Sequence, residues 1–188
     1  MSAPPDLPDI VRRAFDVSRR SGYVSFCRNE TGRLLAALAA TRSGTLAEFG
    51  TGTGVGTAWL RSGIRDDSNI LTAKLEPKLA HAAAKIFDDD DRVEVLAADW
   101  STLRDRGPFS LFFLDAREPK NSGADTIIDL VQAGGVVVLD DFTPCSSWPP
   151  VYEGRVDVLR EQWLTDEWFT TVEVMVAPDA SVLIAAKR

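Results

Sequence analysis

The 188-residue chain reads as an α/β domain built on a mostly parallel sheet, and three observations lead there. Short apolar runs alternate with segments of helical periodicity through most of the chain, the order that right-handed β-α-β crossovers produce. The length suits one domain, residues 1–188, with one sizeable core. The last two apolar runs are joined by a short Pro-Asp turn, which makes an antiparallel hairpin and reverses one strand.

Ile10 to about Arg20 and Asn29 to Ala40 repeat apolar residues at helical spacing, as in Leu34, Leu35 and Leu38, and predict two N-terminal helices within residues 1–43. The core, residues 44–188, opens with a strand from Thr45 to Phe49, a glycine loop and a helix over Thr57 to Arg61. Strand Ile70 to Leu75, helix Lys78 to Phe87 and strand Val93 to Ala98 follow, with a short connection starting at Asp99. Next come strand Phe109 to Leu114, helix Ala124 to Val131 and strand Val136 to Leu139. Helix Val156 to Leu164 precedes the hairpin strands Phe169 to Val176 and Ser181 to Ala186, joined by Ala177-Pro178-Asp179-Ala180. The result is a seven-stranded sheet with a reversed C-terminal strand and helices on both faces. Thr143 to Pro150, rich in Pro and Ser, is a loop over the strand ends.

Composition narrows the function. A hydrophobic content of 45% with 26% charged residues is globular, not disordered. The 21 basic against 28 acidic residues give a net charge of -7, the wrong sign for holding a phosphate backbone, so nucleic acid is not an expected partner. Two cysteines and one histidine offer neither a disulfide scaffold nor a zinc cluster, which suits a reducing, cytoplasmic setting. Met1 to Asp9 lacks the apolar run of a signal peptide, and no segment reaches the ~20 apolar residues that span a bilayer. A soluble protein without a membrane partner is expected.

In such a sheet, ligands bind beyond the carboxyl ends of the strands where strand order reverses. The run Gly50-Thr51-Gly52-Thr53-Gly54-Val55-Gly56 falls there, and its glycines permit positive φ and close backbone approach. The dinucleotide spacing G-x-G-x-x-G would need glycine at position 55 or 57, which hold Val55 and Thr57, and a phosphate-binding P-loop would need a lysine that is absent. Strand two ends at Leu75-Glu76-Pro77, where Glu76 can accept hydrogen bonds from both ribose hydroxyls of NAD or another adenosyl ligand. It is also suited to the start of a helix whose first residue is Pro77. Strand three ends at Asp99-Trp100, where Asp99 fits equally as an N-cap and Trp100 as a packing residue.

Leu46-Ala47-Glu48-Phe49-Gly50-Thr51-Gly52-Thr53-Gly54 resembles motif I of the class I S-adenosylmethionine-dependent methyltransferases, whose fold is Rossmann-like. The resemblance implies that the loop wraps the methionine part of the cofactor, that the acid at Glu48 helps hold it, and that Asp99 and Trp100 lie beside the adenine. Read by itself, Glu48 is a solvated strand residue.

Strand four ends in Asp115 and strand five in Asp140-Asp141, so neighbouring strands ~5 Å apart gather three carboxylates at one edge. Oxygen-only ligands favour Mg²⁺, Mn²⁺ or Ca²⁺. From about Glu30 to Arg188 the chain resembles the metal-dependent catechol and caffeoyl-CoA type O-methyltransferases, which places Asp115, Asp140 and Asp141 as metal ligands. Two positions depart from that pattern: Asp141 stands where the family has Asn, and Glu118 where it has a basic residue, leaving Arg117 or Lys120 to substitute. The resemblance implies O-methylation of a small hydroxylated acceptor, with Asp115 holding the metal at the acceptor; Lys120 can then serve as base or charge stabiliser, and Phe142, Trp148 and Tyr152, in the loop after strand five, can form an aromatic wall or pack on the surface or core. It also allows a homodimer. An NAD-dependent oxidoreductase is opposed by the loop spacing, and a nucleic-acid methyltransferase by Asp115-Ala116-Arg117-Glu118 in place of an Asn/Asp-Pro-Pro-Tyr signature. A non-catalytic cofactor-binding domain would keep the loop and lose turnover.

Overall fold

The architecture comes from a computed structural model that describes residues 6–24, 26–116, 120, 121 and 123–188. Helices α1 (Asp9–Ser21) and α2 (Asn29–Ala39) precede strand β1 (Gly44–Phe49), helix α3 (Val55–Gly63), strand β2 (Ser68–Ala73), helix α4 (Pro77–Ala84) and strand β3 (Val93–Leu96). A 3₁₀ helix (Trp100–Arg106) leads to β4 (Phe109–Leu114), and helix α5 (Ala124–Ile127) with a 3₁₀ turn (Ile128–Leu130) leads to β5 (Val131–Phe142). The two-residue strands β6 (Val151–Tyr152) and β7 (Arg155–Val156), helix α6 (Val158–Thr165), and strands β8 (Phe169–Ala177) and β9 (Ala180–Lys187) complete the chain.

The seven-stranded sheet has the order β3-β2-β1-β4-β5-β9-β8. All pairs from β3 to β5 are parallel, while β9 runs antiparallel to both β5 and β8, so β9 alone is reversed. Strand order turns back between β1 and β4, which puts the glycine loop after β1 at the switch point. Side chains alternate between two apolar layers. Leu46, Ile70, Leu111, Phe113 and Val138 face the layer packed with residues of α1, α2 and α3. Ala47, Leu71, Phe112, Val137 and Leu139 face the layer holding Leu103, Ile127 and Trp163. Burial on both faces explains why Leu111-Phe112-Phe113-Leu114 and Val136-Val137-Val138-Leu139 are continuous apolar runs.

Three expectations are corrected. The helix expected over Ala124 to Val131 shortens to α5 and a 3₁₀ turn, because Val131 already pairs with Phe109 of β4. Strand five is correspondingly longer than Val136 to Leu139: Gly134, at φ +71°, and Gly135 form an irregularity inside the strand. The loop after β5 runs into an unforeseen hairpin, β6–β7, whose turn residues Glu153 and Gly154 both have positive φ (49° and 76°). Other boundaries move by one to three residues, as with β2, which ends at Ala73, and α4, which ends at Ala84.

Candidate active site

The glycine loop is fixed by its own backbone. Gly50, Gly52 and Gly54 have φ of 110°, 54° and 89°, where side chains are opposed. A Cβ on Gly50 would stand 2.6 Å from the carbonyl oxygen of Asp115, so loop and β4 end touch directly. The Asp115 amide also donates to Phe49 O at 2.9 Å.

Beneath the loop lies Glu48, 1% exposed and therefore not the solvated strand residue it resembles when read by itself. Thr72 Oγ1 donates to its Oε2 at 2.8 Å, and Thr57 Oγ1 to the same oxygen. Burial pushes its carboxyl above the usual range, against the opposing pull of these two hydroxyls. A Cβ on Gly56 would collide with Glu48 Oε1, which explains the fourth glycine of the run. Thr51 Oγ1 lies 2.5 Å from Thr72 Oγ1, tying the loop to the same network.

Beside the loop, Gly50, Lys74, Leu75, Asp99, Trp100 and Ala116 line a crevice. Asp99 accepts from the Ser101 amide at 2.9 Å, so it caps the 3₁₀ helix while standing at the crevice, and hydrogen bonding to Ser101, through its side chain first and its amide second, lowers the Asp99 pKa. Trp100 packs on Phe49 with ring centroids 5.4 Å apart. Glu76 is exposed, and its side chain makes no capping hydrogen bond to α4; it adjoins the crevice residue Leu75 without lining the crevice itself. Two contributors escaped the sequence. Tyr23 packs over Gly52, held there by the αL turn at Gly22, where Ser18 Oγ donates to Tyr23 O at 2.6 Å. Thr53 Oγ1 is buried with no partner among the described residues, an atom that suits a ligand carrying polar groups.

The second site begins one strand away. In a regular strand Asp140 and Asp141 would face opposite sides, but the β5–β9 register shifts between Leu139 and Phe142, and Asp141 takes φ +67°. This bulge brings one carboxylate oxygen from each of Asp115, Asp140 and Asp141 within 4.8 Å of one another. Asp140 is buried and accepts from Thr31 Oγ1 of α2 at 3.2 Å. Burial pushes Asp115 well above the usual carboxylate range; Lys120 opposes the shift, and Asp140 and Asp141 add to it. Asp140 is raised chiefly by burial as well. Lys120 Nζ donates to Asp140 O at 2.9 Å and to Asp141 Oδ2 at 3.3 Å. Three acids against one lysine form a donor set that fits a hard divalent cation.

Phe142, Thr143 and Tyr152 continue this site into a cleft of about 470 Å³ that also includes Asp157, Leu159 and Arg160. Trp148 is 63% exposed and not part of the lining. Arg117 and Glu118 lie outside the described residues. Arg160 had no local signal in the sequence, since it reaches the cleft only through the packing of α6.

No family model matches the chain. In sequence it is 31% identical over 143 residues to a protein of Mycobacterium ulcerans named as an O-methyltransferase, an alignment covering 69% of this chain. The chain spans 63% of that relative's length. In structure it superposes on the O-methyltransferase of Bacillus cereus in complex with S-adenosylhomocysteine with a TM-score of 0.78 and 18% identity, covering 97% of this chain and 93% of that one. The O-methyltransferase of Streptomyces achromogenes involved in tomaymycin synthesis, in complex with S-adenosylmethionine, gives 0.76 and 20% identity, with 97% and 92% covered. The chain therefore has the Rossmann-like fold of the class I S-adenosylmethionine-dependent methyltransferases. The relative and both solved structures carry the O-methyltransferase name, the same resemblance that the glycine loop and strand-end acids carry. Among the described residues no helix is long and apolar enough to cross a membrane.

Proposed function

We propose that the chain is an S-adenosylmethionine-dependent O-methyltransferase that acts in the cytoplasm on a small hydroxylated acceptor with the help of a divalent cation. The observation that carries this reading is the direct abutment of two sites, the glycine loop at Gly50 lying against the main chain of Asp115. A sulfonium brings its own leaving group, so the protein's main task is to align donor and acceptor, and neighbouring sites do so. Gly50, Thr51, Gly52 and Gly54 would cradle the methionine part above Glu48, with Glu76 toward the ribose and Asp99 and Trp100 toward the adenine. Asp115, Asp140 and Asp141 would hold Mg²⁺ or a similar ion. Such an ion lowers the pKa of a hydroxyl and orients its oxygen. Lys120, engaged as a donor to Asp140 and Asp141, serves better as a stabiliser of negative charge than as a base.

Calorimetric titration tests the reading. S-adenosylhomocysteine binds and NAD does not, and the former at 100 times its Kd raises stability by about 2.7 kcal/mol. NAD binding without adenosylhomocysteine binding would overturn the assignment. Turnover on a panel of phenols separates an enzyme from a domain that only binds the cofactor.

A further inference from the structure

Arg160, on α6, is 1% exposed yet lines the same cleft as the three strand-end acids. Its guanidinium is locked on several sides. Nε donates to Asp157 Oδ2 at 3.1 Å, and Nη1 donates to Glu173 Oε1 and Oε2 at 3.2 and 3.4 Å. Ser181 Oγ donates to Glu173 at 2.5 Å, and the guanidinium carbon sits 5.2 Å over the centre of the Phe142 ring. Nη2, by contrast, takes part in no hydrogen bond among the described residues. A purely structural arginine tying α6 to β8 would account for Nε and Nη1, whereas Nη2 belongs to a residue that lines the cleft and keeps its donors for what enters there.

We infer that Arg160 Nη2 recognises a neutral carbonyl oxygen on the acceptor, so that the acceptor class is a hydroxylated aromatic aldehyde, ketone, ester or amide. The charge balance selects the neutral group. Two carboxylates on one guanidinium leave that network negative, and at the other end of the cleft the three acids are only balanced even by Lys120 together with a divalent ion. An anionic group therefore gains no net attraction, whereas a carbonyl oxygen accepts from Nη2 without adding charge. Phe142, which follows Asp141 in the chain and carries the guanidinium on its face, links the two ends. The hydroxyl end of this inference rests on the proposed methyl transfer.

The test is equilibrium binding to the protein saturated with S-adenosylhomocysteine and Mg²⁺, which needs no turnover. The probes are 3,4-dihydroxyacetophenone and its near-isostere 4-ethylcatechol, with 3,4-dihydroxybenzoate as the anionic arm. The ketone binds about tenfold more tightly than the ethyl compound and more tightly than the benzoate. In Arg160→Met and Arg160→Gln the ketone's advantage falls to about twofold or less. Equal affinities in the wild-type protein, tightest binding of the benzoate, binding of none of the three, or a preference that survives in the variants would each overturn the inference. The wild-type comparison decides even where a variant fails to fold. If the preference depends on Arg160 but no methyl is transferred to any acceptor, the proposed function fails and this recognition stands.

Discussion

Two ends of one sheet edge treat their acids in opposite ways. Below the glycine loop, the single acid Glu48 is met at Oε2 by the hydroxyls of both Thr57 and Thr72. One strand further on, Asp115, Asp140 and Asp141 crowd together with Lys120 as their cationic partner. Hydroxyls satisfy a carboxyl without changing its charge and so close a structure. Crowded carboxylates leave a demand for positive charge and so open a site. The first arrangement supports a loop, and the second is built to receive something.

The largest effect should come from removing what the second end demands. EDTA abolishes methyl transfer, Mg²⁺ or Mn²⁺ restores it, and Asp140→Ala behaves like the chelated enzyme at any metal concentration. S-adenosylhomocysteine affinity stays unchanged in both cases, because the loop end does not use the metal. Undiminished turnover in EDTA would erase the contrast and leave a general-base mechanism without a metal.

Next in size is a backbone test of the first end. Gly50→Ala places a Cβ against Asp115 O in a left-handed conformation, and strain plus overpacking should cost roughly 2–5 kcal/mol in chemical denaturation. Gly134→Ala, also at positive φ but with nothing within 4 Å, should cost about 1–2 kcal/mol. Equal losses would mean that loop and β4 are not in contact, removing the abutment on which the proposed function depends.

The two ends also differ in how far the sequence discloses them. The loop's requirement is positive φ at positions 50, 52 and 54, which a sequence meets by writing glycine, so its place and conformation were legible. The acids of the second end were legible as residues but not as a geometry. Their convergence depends on a bulge whose left-handed residue, Asp141, is not a glycine, so nothing local marks it. The start of strand five was equally hidden, because Gly134-Gly135 interrupts the apolar run that marks a strand while the chain still pairs at Val131. Arg160 and Thr31 arrive through tertiary packing of helices distant in sequence, beyond the reach of any spacing rule. Asp99 had two local readings, and the structure combines its capping bond with a place on the crevice wall.

A smaller effect probes the nucleoside crevice. Glu76 makes no capping bond to α4, so Glu76→Ala should leave stability nearly unchanged while weakening S-adenosylhomocysteine by roughly 1.5–3 kcal/mol in a titration. Unaltered affinity would remove Glu76 from the cofactor site and leave it an exposed acid at the start of a helix.

The smallest effect concerns Glu48 and turns on a sign. Its folded carboxyl is raised above the unfolded value, so the folded state binds a proton more tightly than the unfolded chain does. The stability this contributes is fully present below the unfolded pKa, ~4.3, and is lost as pH rises through the folded one. Glu48→Gln is neutral at every pH and keeps an oxygen to accept from Thr57 and Thr72. The variant should therefore gain on the wild type as pH climbs from about 4 to 7, read as a pH-dependent difference in denaturation midpoints. A difference that does not change with pH would show that the hydroxyls hold Glu48 charged as easily as water does. The acid below the loop would then be no more closed than the three at the neighbouring strand ends.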